Sequence, residues 1–200
     1  MLVPDADMAA RELRARFGFG SERGPYHDFA GTRSHSVPLK PPSYLEFLTI
    51  EDRSVAESTE PGRTVVECEA RGFGLFAWGV RVSDLDAQSR RLGIAIVDGT
   101  VPHSDGTLRG WRTISGPRHL PFFIDYPNNG DRVGRWTEMY HRVGHTSAPG
   151  AFLELEIGGR KNELDEWLGL QHDLPLRFVV GRPGIRSAHV ATTRGEAVIT

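Results

Sequence analysis

Acid–base and metal chemistry need carboxylates and imidazoles within reach of each other, and GTRSHSVPLKPPSYLEFLTI, residues 31–50, offers one of each. His35 and Glu46 stand in two short alternating runs separated by Lys40-Pro41-Pro42-Ser43, a composition that turns the chain back on itself. A neutral imidazole serves as ligand or general base, though a hydrogen-bonded strand histidine has the same pattern. Glu46 shares a strand face with Tyr44 and Leu48, and carboxylates are seldom buried without a partner. It therefore either meets water or serves a site.

A second constellation lies in TLRGWRT, residues 107–113. Arg109, Trp111 and Arg112 put guanidinium groups beside an indole, which suits an anionic or carbonyl-bearing small molecule through stacking and bidentate hydrogen bonds. An aromatic packed in a barrel with arginines at its rim reads the same way. Gly110 permits close approach there.

Other motifs point to less. His141 and His145 in HRVGH have i, i+4 spacing, but Gly144 and the lack of apolar periodicity argue against a helix and for a surface pair. His27 and His103 sit beside similar glycine turns, which reads as shared turn geometry. Cys68 is the single cysteine, so there is no disulfide within the chain and no cysteine-rich zinc site, and nothing nearby lowers the thiol pKa. RFGFGSERG follows a helix instead of opening one, so it fails as a dinucleotide loop, and no Gly-x-Ser-x-Gly elbow occurs.

The elements that must carry these residues repeat. Asp5 caps a helix with Ala6, Ala9, Ala10, Leu13 and Phe17 on one stripe, ended by Gly18 or Gly20. Strands follow at 24–28, 33–39 and 44–50, with residues 1–3 as a remnant of a first strand. From residue 73 the order recurs: a strand at 76–82, a helix capped by Asp84 with Leu85, Ser89 and Leu92 on one face, and strands at 96–102, 108–114 and 120–126. At an offset of 79, Val3, Asp5, Asp7, Arg11 and Leu13 align with Val82, Asp84, Asp86, Arg90 and Leu92, and YLE at 44–46 aligns with FID at 123–125.

Such a repeat is a duplicated supersecondary unit, too short in copies for a solenoid. The predicted class is α+β: two paired βαβββ modules, with Glu46 and Asp125 on equivalent last-strand positions converging on a shared concave site. The predicted division is a first module over 1–50 with a truncated first strand, a linker or excursion over 51–72, a second module over 73–127, a loop over 128–150 and a partial third unit, βαββ, over 151–200. Within the linker, 51–62 is polar and holds Pro61, whereas 64–70 reads equally as strand or helix. The long loop is a candidate lid. In the third unit Asn162 is the predicted helix cap.

At 200 residues, 38% hydrophobic and 25% charged, the chain has the composition of a soluble globular protein. A net charge of −2 with interspersed signs gives no basic stripe, so nucleic acid and membrane surfaces are not expected partners. No apolar run approaches the roughly 20 residues that span a bilayer. The N-terminus, acidic by residue 5, does not read as a secretory signal, and the expected compartment is the cytoplasm.

The duplicated βαβββ plan resembles the vicinal oxygen chelate superfamily of glyoxalase I, extradiol dioxygenases and bleomycin-resistance proteins. VPDADMAARELRARFG, GTRSHSVPL, YLEFL, FAWGVRVSDLDA, DGTLRGWRT and LPFFIDYP are similar to the bacterial glyoxalase-like domain proteins over nearly the whole chain. The resemblance implies a cleft between modules and, in metal-dependent members, ligands on the first and last strand of each. There a divalent metal binds two neighbouring substrate oxygens as a Lewis acid. Carried over, the last-strand ligands are Glu46 and Asp125. The first-strand position falls before Met1 in one module, so either the start lies upstream or that ligand is lacking, and it is Ala77, beside Trp78, in the other.

Two readings follow. The first is a glyoxalase-like lyase or isomerase acting on an oxygenated, carbonyl or carboxylate substrate. Glu46, His35 and Asp125 are its catalytic residues and an incomplete metal set, and Trp78, Arg109, Trp111 and Arg112 bind substrate. The second is a metal-free protein that binds or sequesters a small ligand, as resistance-type members do. A small molecule is the expected partner, and a homodimer is compatible with module exchange between chains.

Overall fold

The computed structural model describes residues 1–102, 108–126, 132–169 and 172–200. The described residues form a mixed α+β structure with three sheets and six helices. By contacts it divides into two units: residues 1–75, 133–153 and 189–200 form the first, and 76–132 and 154–188 the second.

In the first unit, α1 (Ala6–Phe17) begins where the Asp5 carboxylate accepts the Met8 N–H at 2.8 Å. It ends at Gly18, whose φ of 80° places it in the left-handed region that L side chains avoid. Ala6, Ala10 and Leu13 are buried and α1 packs on β2 and β3. The sheet runs β1 (Glu22–His27), β2 (Thr32–Pro38), β3 (Tyr44–Ile50), all antiparallel neighbours. Leu2 adds a single parallel bridge to Leu48 on the free side of β3, where the sequence suggests a first-strand remnant.

Helices then occupy the stretch read as a polar linker. α2 (Arg53–Ser58) is capped by Asp52, whose carboxylate accepts the Val55 N–H at 3.1 Å. α3 (Glu60–Glu69) is capped by Thr59, with Pro61 in its first turn, where a missing N–H costs nothing. Strand and helix were both open for 64–70; the Thr59 cap and the α2 packing decide for helix. The predicted loop 128–150 also contains a helix, α5 (Arg132–Arg142), and its first residues, 128–131, lie outside the described residues.

In the second unit, β4 (Gly79–Arg81) is shorter than the predicted 76–82 strand. The Asp84 carboxylate accepts the Ala87 N–H at 2.8 Å to start α4 (Leu85–Leu92). β5 (Val97–Pro102), β6 (Leu108–Ile114) and β7 (Phe122–Asp125) complete a sheet of order β4-β7-β6-β5, with β4 parallel to β7. α4 packs on β6 and β7 over a core of Leu85, Ile114, Phe123 and Trp167. Each fully buried side chain of this size contributes roughly 1.5–3 kcal/mol.

The last elements are β8 (Phe152–Gly158), α6 (Lys161–Leu168), β9 (Leu176–Val179), β10 (Gly184–Thr192) and β11 (Gly195–Ile199). Their sheet runs β11-β10-β8-β9, with β8 parallel to β9, so its strand order differs from the β4-β7-β6-β5 plan. α6 starts after Arg160 without a side-chain cap, so the predicted cap, Asn162, lies inside the helix. Among the described residues no helix is long and apolar enough to cross a membrane.

Candidate functional site

Each sheet of the repeated units has a face toward its helix and a face away from it, and register assigns every site residue to one of them. In β2 and β3, His35 pairs with Phe47 and Ser36 with Glu46. Successive residues of a strand point to opposite faces, so His35 and Glu46 point to opposite sides of the same sheet. His35 lies on the α1 side: it is 6% exposed, and its Nε2 stands 2.7 Å from Asp7 Oδ1. Burial pushes the imidazole pKa below its ordinary value, and Asp7 partly offsets this.

Glu46 is exposed on the other face, with Tyr44 and Leu48 as strand neighbours and Ser36 opposite. Among the described residues its carboxylate makes no hydrogen bond or ion pair. The same face carries His27, because Thr32, its register partner, shares parity with Ser34 and Ser36. The His27 Nδ1 lies 3.1 Å from the hydroxyl of Thr32, itself 1% exposed, and the ring stacks on Phe29 at 5.6 Å. Burial pushes the His27 pKa down, and the Glu46 charge is the largest opposing influence. The sequence did not single out His27 for chemistry. A register shift between Arg23 and Tyr26 breaks the alternation of β1, so its facing cannot be counted from the residues.

α5 adds an aromatic to this face. Trp136 stacks on Tyr44 with centroids 4.1 Å apart and planes 11° from parallel. Arg142 near the end of α5 pairs with Glu22, whose register partner is Ser36. A helix hidden in a presumed loop thus lies beside Glu46.

The second unit treats its acid differently. Asp125 pairs in register with Arg112 and accepts two hydrogen bonds from it, Nε to Oδ1 at 3.1 Å and Nη2 to Oδ2 at 2.6 Å. Asp86 of α4 closes on the same guanidinium at 3.1 Å. These carboxylates hold the Arg112 pKa above its already high ordinary value, and the group faces α4. Trp111, one residue on, takes the opposite face and lies over Gly99, where an added Cβ would fall 2.3 Å from the indole. Trp78 lies in the segment just before β4, half-buried, and its buried Nε1 has no hydrogen-bond partner among the described residues. Arg109 stands opposite Val101 in the β5–β6 register. His103, read as the repeat partner of His27, lies outside the described residues.

The repeat alignment of Glu46 with Asp125 is therefore corrected. Val3 N–H donates to Leu48 C=O, and Val82 N–H donates to Ile124 C=O. If Val3 and Val82 correspond, so do Leu48 and Ile124, an offset of 76 on the last strand against 79 at the helix. The counterpart of Glu46 is then Phe122, and that of Asp125 is Thr49. A shift by an odd number of residues turns a side chain to the other face.

The residues named for a metal do not form a ligand set within either unit. His35 and Glu46 point apart, and both Asp125 oxygens are engaged by Arg112. Among the described residues no group of three His, Cys, Asp or Glu side chains is placed to hold an ion. The donors present do not fit such a centre, so no step is derived through one.

A family model described as a glyoxalase-like domain matches residues 1–168. The chain belongs to the glyoxalase-like domain family. This places it in the vicinal oxygen chelate superfamily. Among solved structures, a hypothetical protein from Staphylococcus aureus is similar in fold, with a TM-score of 0.68 at 12% identity over 98% of this chain and 94% of that one. Comparison with curated proteins finds no match. In this chain Glu46 of β3 lies on the face away from α1, and Phe122 stands at the corresponding place in the second unit.

Proposed function

We propose that this glyoxalase-like protein performs metal-independent proton transfer, of lyase or isomerase type, on a small carbonyl-bearing molecule held on the Glu46 face of the first unit. The observation that carries this reading is the pairing, on one sheet face, of an exposed carboxylate that makes no side-chain hydrogen bond among the described residues and a histidine whose environment favours its neutral form. Glu46 would remove a proton from the carbon next to the carbonyl. His27, with Nδ1 accepting from the Thr32 hydroxyl, would present Nε2–H to the carbonyl oxygen, where negative charge develops. A neutral imidazole donor returns the proton without a change of its own state.

Trp136, Tyr44 and Leu48 supply an apolar surround for the carbon skeleton. The test is loss of the α-proton signal of 2-oxygenated carbonyl compounds in D2O, followed by proton NMR. Wild-type protein should accelerate exchange for at least one compound, and Glu46→Gln should lower the rate about 10²–10⁴-fold, the usual worth of a positioned acid or base. Exchange unaffected by Glu46→Gln would remove the reading.

A second reading, binding or sequestration without turnover, is favoured by the aromatic surfaces and the unpartnered Trp78 Nε1, an N–H suited to a ligand oxygen. Saturable binding of such a compound with no exchange would favour it.

A further inference from the structure

The turn after α5 is held by a histidine in an unusual bonding state. His145 Nδ1 accepts a hydrogen bond from the Gly20 backbone N–H at 2.9 Å, while its buried Nε2 has no hydrogen-bond partner among the described residues. An imidazole nitrogen that accepts carries no proton, so the ring must be neutral with its proton on Nε2. Around this bond the chain is tightly tied. The Thr146 N–H donates to Gly18 C=O at 2.8 Å, and the Ser147 N–H to the same oxygen at 3.3 Å. A Cβ on Gly18 would fall 2.6 Å from the Ser147 nitrogen, so no side chain fits there.

We propose that His145 is a proton-sensitive latch: protonation at Nδ1 sets N–H against N–H and releases residues 143–147 from the Gly18–Gly20 segment. The surroundings favour release on charging. Arg14 of α1, which donates to Val143 C=O at 3.5 Å, adds a like charge. Tyr140 of α5 tilts its ring against the imidazole at 4.9 Å and spends its hydroxyl on Pro149 C=O at 2.9 Å. Arg142 and Glu22, the charges at the end of α5 and the start of β1, pair with each other. Among the described residues no carboxylate meets His145. Burial and Arg14 both push its pKa below 6.5.

The sign follows. Above pH 6.5 the ring is neutral in open and closed forms alike, and the latch holds. Between 6.5 and the depressed value in the closed form, each pH unit downward raises the open population about tenfold, because opening takes up one proton. α5 carries Trp136, so opening also loosens the aromatic stacked on Tyr44.

Hydrogen exchange at the Gly20 and Thr146 amides, corrected for intrinsic rates and followed from pH 7.5 to 4.5, tests this on the full chain. Protection should be flat above pH 6.5 and fall below it. His145→Gln, whose Oε1 can accept the same bond without titrating, should keep protection flat throughout. Arg14→Gln should leave the onset near pH 6.5 and make the loss shallower, because the closed-form pKa rises toward the open one. PH-independent protection in wild-type protein, or loss in His145→Gln over the same window, would overturn the latch. Nitrogen-15 shifts of the wild-type ring at pH 7.5 give a check that needs no variant: a proton on Nε2 is expected, and one on Nδ1 would refute the assignment.

Discussion

β3 and β7 hold the same rank in the two repeated units, each antiparallel to the strand that precedes it in the chain, and each carries one acid. In β3, Glu46 turns away from α1 into the open. In β7, Asp125 turns toward α4 and is held by both nitrogens of an arginine fork. The helices meanwhile behave alike: Asp7 of α1 reaches His35, with its charge also felt at Arg33, and Asp86 of α4 reaches Arg112. Arg33 and Arg112 are 79 residues apart, the offset of the helices, so the helix-facing cation is the true repeat feature. One carboxylate closes a structural contact while the other stays exposed on its sheet face.

The largest test concerns the core beneath Asp125. Phe123→Ala should destabilise the second unit by about 3–5 kcal/mol, read as a lower urea midpoint, because it empties a site stacked on Trp167 and packed on Leu85 and Ile114. Next, Asp125→Asn should lower the midpoint and leave ligand binding or exchange activity on the first unit unchanged. Glu46→Gln should do the reverse, with stability within about 0.5 kcal/mol of wild type. A destabilised Glu46→Gln with full activity would erase the contrast.

Two smaller effects sharpen it. Thr32→Val should redistribute the proton between the His27 nitrogens and reduce activity, and Thr32→Ser should restore it, both visible in nitrogen-15 spectra and in rate. The neutral His27 should keep activity level as pH falls to 6.5, with loss only below its depressed pKa. Smallest is His35→Gln. The folded pKa of His35 lies below its ordinary value, so its contribution to stability is present above 6.5 and declines as pH falls through the folded value. The glutamine variant should show a shallower acid slope in stability and unaltered activity.

Periodicity and capping residues made most of the architecture legible. Asp5 and Asp84 cap the helices they were read to cap, and the runs at 44–50 and 108–114 are β3 and β6. The helices α2, α3 and α5 were not legible as such, because short polar segments with Gly and Pro gain their stability from packing and caps more than from pattern. The site was half legible. Glu46 stands out as a charge in an apolar run. His27 does not, since its facing depends on an irregular strand and its character on Thr32, Phe29 and Glu46, which the fold gathers.

Local alternation and caps are properties of neighbouring residues and the 79-residue echo is one of the chain itself, and from them follow the α+β class and the repeated helix and strands, while the family follows from the resemblance of the quoted motifs. Which face a side chain takes is a matter of parity counted through hydrogen-bond register, and one odd shift in a strand reverses it without any change in composition. That is why only the tertiary structure decides that Asp125 belongs to Arg112, that His35 lies under α1, and that Glu46 shares its face with His27.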